Sequence, residues 1–129
     1  MNVQKSQLLA GLKKATIEML LLHMLSESDM YGYQLSQEIK KRSSGIYTIL
    51  EGSMYPILYR LTEQGYISLY EVKVGKRQTR IYYRLEASGQ DYLEQLKQSY
   101  YQYTDLISFL LCAKEGDVYG ESSQSKGTE

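Results

Sequence analysis

The chain of 129 residues has one cysteine, one histidine, one proline and no tryptophan. A single cysteine excludes a disulfide within the chain, and a single histidine beside it leaves no Cys/His set that would hold a metal. The same scarcity argues against an enzyme, because a nucleophile–histidine pair would have to use His23, which lies in an apolar run. No glycine-rich phosphate-binding loop is present. We therefore expect no catalytic residues, no metal and no cofactor.

Long hydrophobic runs are also missing. The densest apolar stretch, Ile17–Leu25, is too short to span a bilayer and contains Glu18 and His23. The N-terminus shows no signal-peptide pattern, because polar residues follow Lys5 and no small-residue cleavage site is present. These absences favour a cytoplasmic protein without a membrane partner.

The net charge of zero hides an uneven distribution. Residues 1–90 carry 12 Lys and Arg against eight Asp and Glu, whereas residues 91–129 carry three against seven. Attraction to phosphates depends on local charge, so the basic surplus of the first part is compatible with nucleic-acid binding.

Apolar residues at helical spacing predict three helices in the first half of the chain. Ser28 or Asp29 is the expected cap of the second helix and Ser53 that of the third. Pro56 then falls within a first turn, where its missing N–H costs nothing, and Gly65 fits a left-handed cap at the end. The helices are predicted at about residues 5–26, at about 31–43, and from Gly52 or Ser53 to Gly65.

A predicted hairpin with a basic tip follows the third helix. Tyr66–Val74 and Thr79–Leu85 alternate in hydropathy and are rich in Ile, Val and Tyr, which is typical of strands. A helix that can enter a groove, joined to a cationic hairpin that can lie along phosphates, is the layout of a winged helix-turn-helix and predicts binding to double-stranded DNA. Between Val72 and Leu85 five basic residues and no acidic one occur: Lys73, Lys76, Arg77, Arg80 and Arg84.

The third helix carries several side chains that the core does not need. Ile57, Leu58 and Leu61 are expected to face the core. Serine and tyrosine hydroxyls suit phosphate oxygens, and an arginine can reach a phosphate or a guanine edge. The side chains left over for DNA are Ser53, Met54, Tyr55, Tyr59 and Arg60.

A long fourth helix is predicted from about residue 87 to 112, with an apolar seam at spacings of three and four. Such a seam can pack within the chain, but beside a complete domain it favours a homodimer. The expected interface combines this seam with the first helix: Leu8, Leu12, Leu93, Leu96, Tyr100, Tyr103, Ile107 and Leu110. The fold class is thus mainly α with a small β-ribbon. We predict a winged-helix DNA-binding domain at 1–86, a C-terminal dimerisation helix at 87–113 and a disordered tail at 114–129.

Several motifs resemble the PadR family of transcriptional regulators, over roughly residues 8–112. The run Gly52-x-x-Tyr55-Pro56-x-Leu58-x-x-Leu61 is distinctive, and it is flanked by Tyr31-Gly32-Tyr33-x-Leu35, Gln64-Gly65-Tyr66-Ile67 and Arg80-x-Tyr82-Tyr83-x-Leu85. The resemblance implies a winged-helix dimer that represses promoters, with a single C-terminal helix as in the compact subfamily. It also implies that Tyr55 meets DNA and that Lys73 to Arg80 form the wing. Tyr31 is predicted as a further DNA-binding residue.

Tyrosine is abundant, with 14 residues against one phenylalanine. On the fourth helix, tyrosines either pack in an interface or line a dimer cavity for a small aromatic effector; the candidate pocket is Tyr92, Tyr100 and Tyr103. The leading hypothesis is a homodimeric repressor on a palindromic operator, released by a small molecule. The alternative is a winged-helix protein-interaction module that does not bind DNA, which would have no need of a basic wing.

Overall fold

The computed structural model describes Lys13 and residues 16–121, and residues 16–121 contain four helices and three strands. The predicted fold class, a winged helix-turn-helix with a small β-sheet and a long C-terminal helix, is confirmed. The chain divides into two compact units between Glu94 and Gln95, which we call the winged-helix unit and the C-terminal unit. The elements are α1 (Ile17–Glu27), β1 (Met30–Tyr31), α2 (Gly32–Arg42), α3 (Glu51–Glu63), β2 (Ile67–Val74), β3 (Gln78–Leu85) and α4 (Ala87–Cys112).

The core of the winged-helix unit is built from apolar side chains of its helices and of β2. Complete burial of one such side chain stabilises the fold by roughly 1.5–3 kcal/mol. Met54 belongs to this core, although the sequence placed it among the outward residues of the third helix; it precedes Leu58 by one turn and lies on the same helix face. The fully buried side chains are Leu21, Leu22, Leu35, Met54, Leu58, Leu61, Ile67 and Leu93.

The predicted side-chain caps of α2 and α3 are wrong. The residues that precede these helices are Tyr31 and Leu50, and neither side chain makes a capping hydrogen bond. Asp29 instead accepts hydrogen bonds from two side chains of the sheet. Ser53 already lies inside α3, because the helix begins at Glu51, one or two residues before the predicted start at Gly52 or Ser53.

Proline and glycine shape the two ends of α3 differently. Because the helix begins at Glu51, Pro56 lies in the second turn rather than the first, and the carbonyl of Gly52 has no N–H four residues ahead. At the other end Gly65 adopts φ +80°, as the sequence predicted. The amide of Tyr66 donates to the carbonyl of Leu61 at 3.0 Å, which ends the helix in a Schellman motif and turns the chain into β2.

The sheet has three strands in the order β1–β3–β2, all antiparallel. β2 and β3 pair from Ile67 opposite Leu85 to Val74 opposite Gln78, which forms the predicted hairpin. β1 was not predicted, because a strand of two residues is too short to show alternation. Its pairing sets Tyr31 opposite Tyr82 and thereby joins the start of α2 to the wing.

The segment after α4 departs from the predicted disorder. Residues 114–121 form turns in the C-terminal unit, and the hydroxyl of Tyr119 donates to Asp105 at 2.7 Å. The ring of Tyr119 also packs edge-on against Phe109. One tyrosine therefore anchors a stretch whose glycine and charge content predicted no contacts. Residues 122–129 of the predicted tail lie outside the described residues.

Candidate nucleic-acid interface

The outer face of α3 lies opposite its buried stripe. The face includes Ser53, which is exposed, and Tyr59, whose side chain is 69% exposed. Both residues were predicted to face DNA, and their hydroxyls are suitable partners for phosphate oxygens.

Tyr55 lies on the outer face of α3, but its ring is packed against α2. Its ring lies against Gly32 at the start of α2, so closely that a Cβ on Gly32 would stand 2.3 Å from the Tyr55 hydroxyl oxygen. Burial of the ring raises the pKa of Tyr55, and the charge of Glu51 raises it further. The hydroxyl therefore stays neutral at physiological pH and can donate a hydrogen bond to an anionic oxygen. Glycine at position 32 is what allows this contact.

Arg60, which was predicted to contact DNA, is exposed, but its guanidinium is engaged within the chain. It donates to Glu18 of α1 at 2.9 Å, and the hydroxyl of Tyr92 donates to the same carboxylate oxygen at 3.1 Å. The ion pair ties α3 to α1 across 42 residues of sequence, a separation at which no local pattern could have indicated it. A base contact by Arg60 would first have to give up this pair.

The tip of the wing carries cations that no described acidic residue neutralises. Lys73, Lys76 and Arg77 are exposed and form no salt bridge with any residue between 16 and 121. Arg84, the fifth basic residue of the predicted set, differs because its guanidinium donates to Asp29 at 3.3 Å. The uncompensated charge is therefore concentrated at the tip, which is where a winged helix meets phosphates.

Arg80 completes the cationic set and is positioned by an aromatic row. Its guanidinium lies 4.4 Å from the centre of the Tyr31 ring. Tyr31 contacts Tyr82 at 5.4 Å, and Tyr82 stacks on Tyr70 at 5.7 Å. Guanidinium stacking on a ring leaves its N–H edge free for phosphate. Tyr31, predicted as a DNA contact, is half-buried and serves in the structure as the support for Arg80.

This row of rings across three strands was missed in the sequence. The strand register would have indicated the row, because Tyr82 is the cross-strand partner of both Tyr31 and Tyr70 and the three side chains share one face of the sheet. The row ends at Arg84, which lies 4.9 Å from the Tyr70 ring. The Tyr70 hydroxyl donates to Asp29 at 2.7 Å, and this hydrogen bond to the carboxylate raises the pKa of Tyr70.

The predicted dimer residues divide into two groups. Leu93 is only 1% exposed within the single chain, so it belongs to the core and its assignment to a dimer seam is wrong. Tyr103 and Leu110 are 65% and 58% exposed, and Tyr100 is also exposed. Leu96 and Ile107 are half-buried. Leu8 and Leu12 lie outside the described residues.

The three tyrosines of the predicted effector pocket have different surroundings. Tyr92 stacks on Tyr66, with ring centres 4.2 Å apart, and its hydroxyl is engaged by Glu18. Tyr100 packs edge-on against Tyr101. Of the three, only Tyr103 lines the cavity of about 350 Å³ in the C-terminal unit, whose walls are Ser99, Gln102, Tyr103, Leu106 and Tyr119. Tyr92 and Tyr100 are not walls of this cavity, and a dimer cavity lined by the three tyrosines stays a prediction.

The described residues contain neither a membrane-spanning helix nor a cluster of metal ligands. No helix there has the length and hydropathy required to cross a bilayer. No group of three or more His, Cys, Asp and Glu side chains in the same part of the chain is arranged to hold a metal ion. Cys112 is a free and exposed thiol.

Comparisons with known proteins agree with the motifs and the fold. The model of the transcriptional regulator PadR-like family matches residues 21–95. Uncharacterised protein X of Lysinibacillus sphaericus is 30% identical over 95 residues, which are 74% of this chain and 87% of that protein. A PadR family transcriptional regulator from Eggerthella lenta superposes with a TM-score of 0.76 and 27% identity, over 84% of this chain and 93% of that one.

A further solved structure is Bacillus subtilis PadR in complex with operator DNA. It matches with a TM-score of 0.58 and 22% identity, over 62% of this chain and 46% of that one, so the likeness concerns the fold. The family model, which covers more than half of the chain, decides the family. This chain belongs to the PadR-like family of transcriptional regulators.

Proposed function

We propose that the protein is a homodimeric, sequence-specific DNA-binding repressor. The observation that carries the proposal is the group of four wing cations, Lys73, Lys76, Arg77 and Arg80, none of which forms a salt bridge with a described residue. Four uncompensated cations on one hairpin repel one another, and phosphates relieve that repulsion.

We infer that α3 and the wing make different kinds of contact with DNA. Tyr59 and Ser53 offer hydroxyls from the exposed face of the helix, whereas the wing offers charge. Since Arg60 is engaged by Glu18, few side chains remain for direct reading of bases. We infer that the wing and the hydroxyls set the register on the duplex and that operator shape supplies much of the specificity.

The homodimer is proposed from the apolar residues that the C-terminal unit exposes. Tyr103 and Leu110 share the predicted seam, and both are more than half exposed in the single chain. Large apolar side chains along one helix favour a partner with the same stripe. Leu110→Glu should convert the dimer to a monomer in sedimentation equilibrium. Gln98→Glu, which adds the same charge at an exposed polar position of α4, should leave it a dimer. A monomeric wild type would contradict the proposal.

Hydroxyl-radical footprinting of the DNA upstream of its own gene tests the function. A dimer should protect two patches about one helical turn apart, related by the symmetry of the operator. Protection of a single patch would contradict the dimeric arrangement, and absence of protection at low salt would favour a protein-interaction module instead. Repression follows if the protected patches overlap the promoter.

A further inference from the structure

A groove between α3 and β2 is not explained by DNA binding. It belongs wholly to the winged-helix unit and has a volume of about 360 Å³, which is within the range of small-ligand sites. We call it the α3–β2 groove. Its walls are Tyr55, Tyr59, Thr62, Glu63, Leu69 and Tyr83.

Three of the six walls are tyrosines, and one is a carboxylate. Glu63 is exposed and forms no salt bridge or side-chain hydrogen bond with any residue in the described part of the chain. Glu18 and Glu27 of this unit, by contrast, are paired with Arg60 and Arg42. A free carboxylate beside a proposed phosphate-binding face is unfavourable for DNA, so the groove suits a ligand of the opposite charge.

The tyrosines reinforce this electrostatic preference. The faces of aromatic rings are negative and attract cations, and several rings around one cavity are the usual way in which proteins hold quaternary ammonium groups. Burial raises the pKa of Tyr83 and of Tyr55, so both hydroxyls remain neutral and add hydrogen-bonding capacity. Leu69 contributes an exposed apolar wall for the alkyl part of a ligand.

We propose that the α3–β2 groove binds a small organic ammonium ion, with Glu63 as its counter-charge and Tyr55, Tyr59 and Tyr83 as its aromatic walls. The regulatory consequence rests on the proposed function: Tyr55 and Tyr59 also belong to the face assigned to DNA, so a bound ammonium ion would compete with the operator. The binding itself needs no DNA.

A matched pair of probes tests the proposal on the full chain without DNA. Choline and 3,3-dimethylbutan-1-ol have nearly the same shape and differ in the charge of the head group. In NMR titrations choline should bind saturably and roughly tenfold more tightly than the alcohol. Glu63→Gln should weaken choline about threefold, as expected for an exposed ion pair, and leave the alcohol unchanged. Tyr59→Leu, at an exposed position that the fold does not need, should weaken choline about fivefold.

Glu115→Gln serves as the control, because it removes the same charge and Glu115 is not a wall of the groove. Equal affinity for choline and the alcohol, no saturable binding of choline, or equal effects of Glu63→Gln and Glu115→Gln would each overturn the proposal. Failure of the protein to bind DNA would leave choline binding intact and would count only against the proposed function.

Discussion

The wing cations lead to a quantitative prediction about salt. Each phosphate that a protein neutralises contributes about 0.9 to the slope of log affinity against log salt concentration. Lys76 and Arg77 are exposed at the tip and form no salt bridge with a described residue, so both are free to contact phosphate. In a dimer, Lys76→Ala alone removes two such contacts and should flatten the slope by about 1.8, and the double variant with Arg77→Ala by about 3.6.

Fluorescence anisotropy of a labelled operator over a series of salt concentrations measures the slope directly. Lys114→Ala, which removes one positive charge from the C-terminal unit, should leave the slope unchanged. The affinity of the double variant should fall by a similar factor on operator and unrelated DNA, because phosphates carry no base sequence. If the double variant had the same salt slope as wild type, or lost affinity for the operator alone, the wing would not contact phosphates.

Three further predictions concern the rest of the winged-helix unit. Gly32→Ala should lower operator affinity about as much as Tyr55→Ala, because the new methyl group displaces the Tyr55 ring; the double variant should be no weaker than either single one, and additive losses would contradict the coupling. Leu58→Ala should lower the free energy of unfolding in urea by about 2–5 kcal/mol, since the side chain is fully buried; a loss below about 1 kcal/mol would mean that the core is packed differently. The Arg42 guanidinium lowers the pKa of Glu27, so the pair stabilises the fold above the usual glutamate pKa and loses this contribution as pH falls through the lowered value. The difference in melting temperature between wild type and Glu27→Gln should therefore close on acidification, and a difference that persists would argue against the ion pair.

Much of the fold could be predicted because its signals are local. Hydropathy at helical and strand spacing placed α4 at the observed residues and the hairpin within about one residue. Gly65 was predicted as a left-handed cap from its position alone, and it has the required φ. These features depend on neighbouring residues in the sequence, which is the range over which a pattern carries information.

The sequence patterns did not indicate the contacts between residues that are distant in the chain. Asp29 was expected to cap α2 but binds Tyr70, 41 residues away. The pairing of Arg60 with Glu18 of α1 was not indicated by the sequence, and the DNA contact expected of Arg60 stays a prediction. Polar side chains have several possible partners, and only the assembled fold decides among them. Leu93 was expected in the dimer interface but is buried within the single chain. Helical spacing of apolar residues does not show which of them pack within the chain and which contact a partner.

The candidate site was therefore predicted in outline and corrected in detail. The basic tip was identified from composition, since cations at a turn have few partners within the chain. The support of Arg80 by the Tyr31 ring required the strand β1, which was too short to predict. The α3–β2 groove joins residues of three elements and had no signal in the sequence.

We propose that this member of the PadR-like family binds a specific operator through α3 and the wing. The most direct test is an anisotropy titration of the full chain against DNA from its own promoter and against a scrambled duplex, each at two salt concentrations. We expect tighter binding to the promoter at both concentrations and a steep loss of affinity with salt on both duplexes. No binding to either duplex at the lower salt concentration would contradict operator binding.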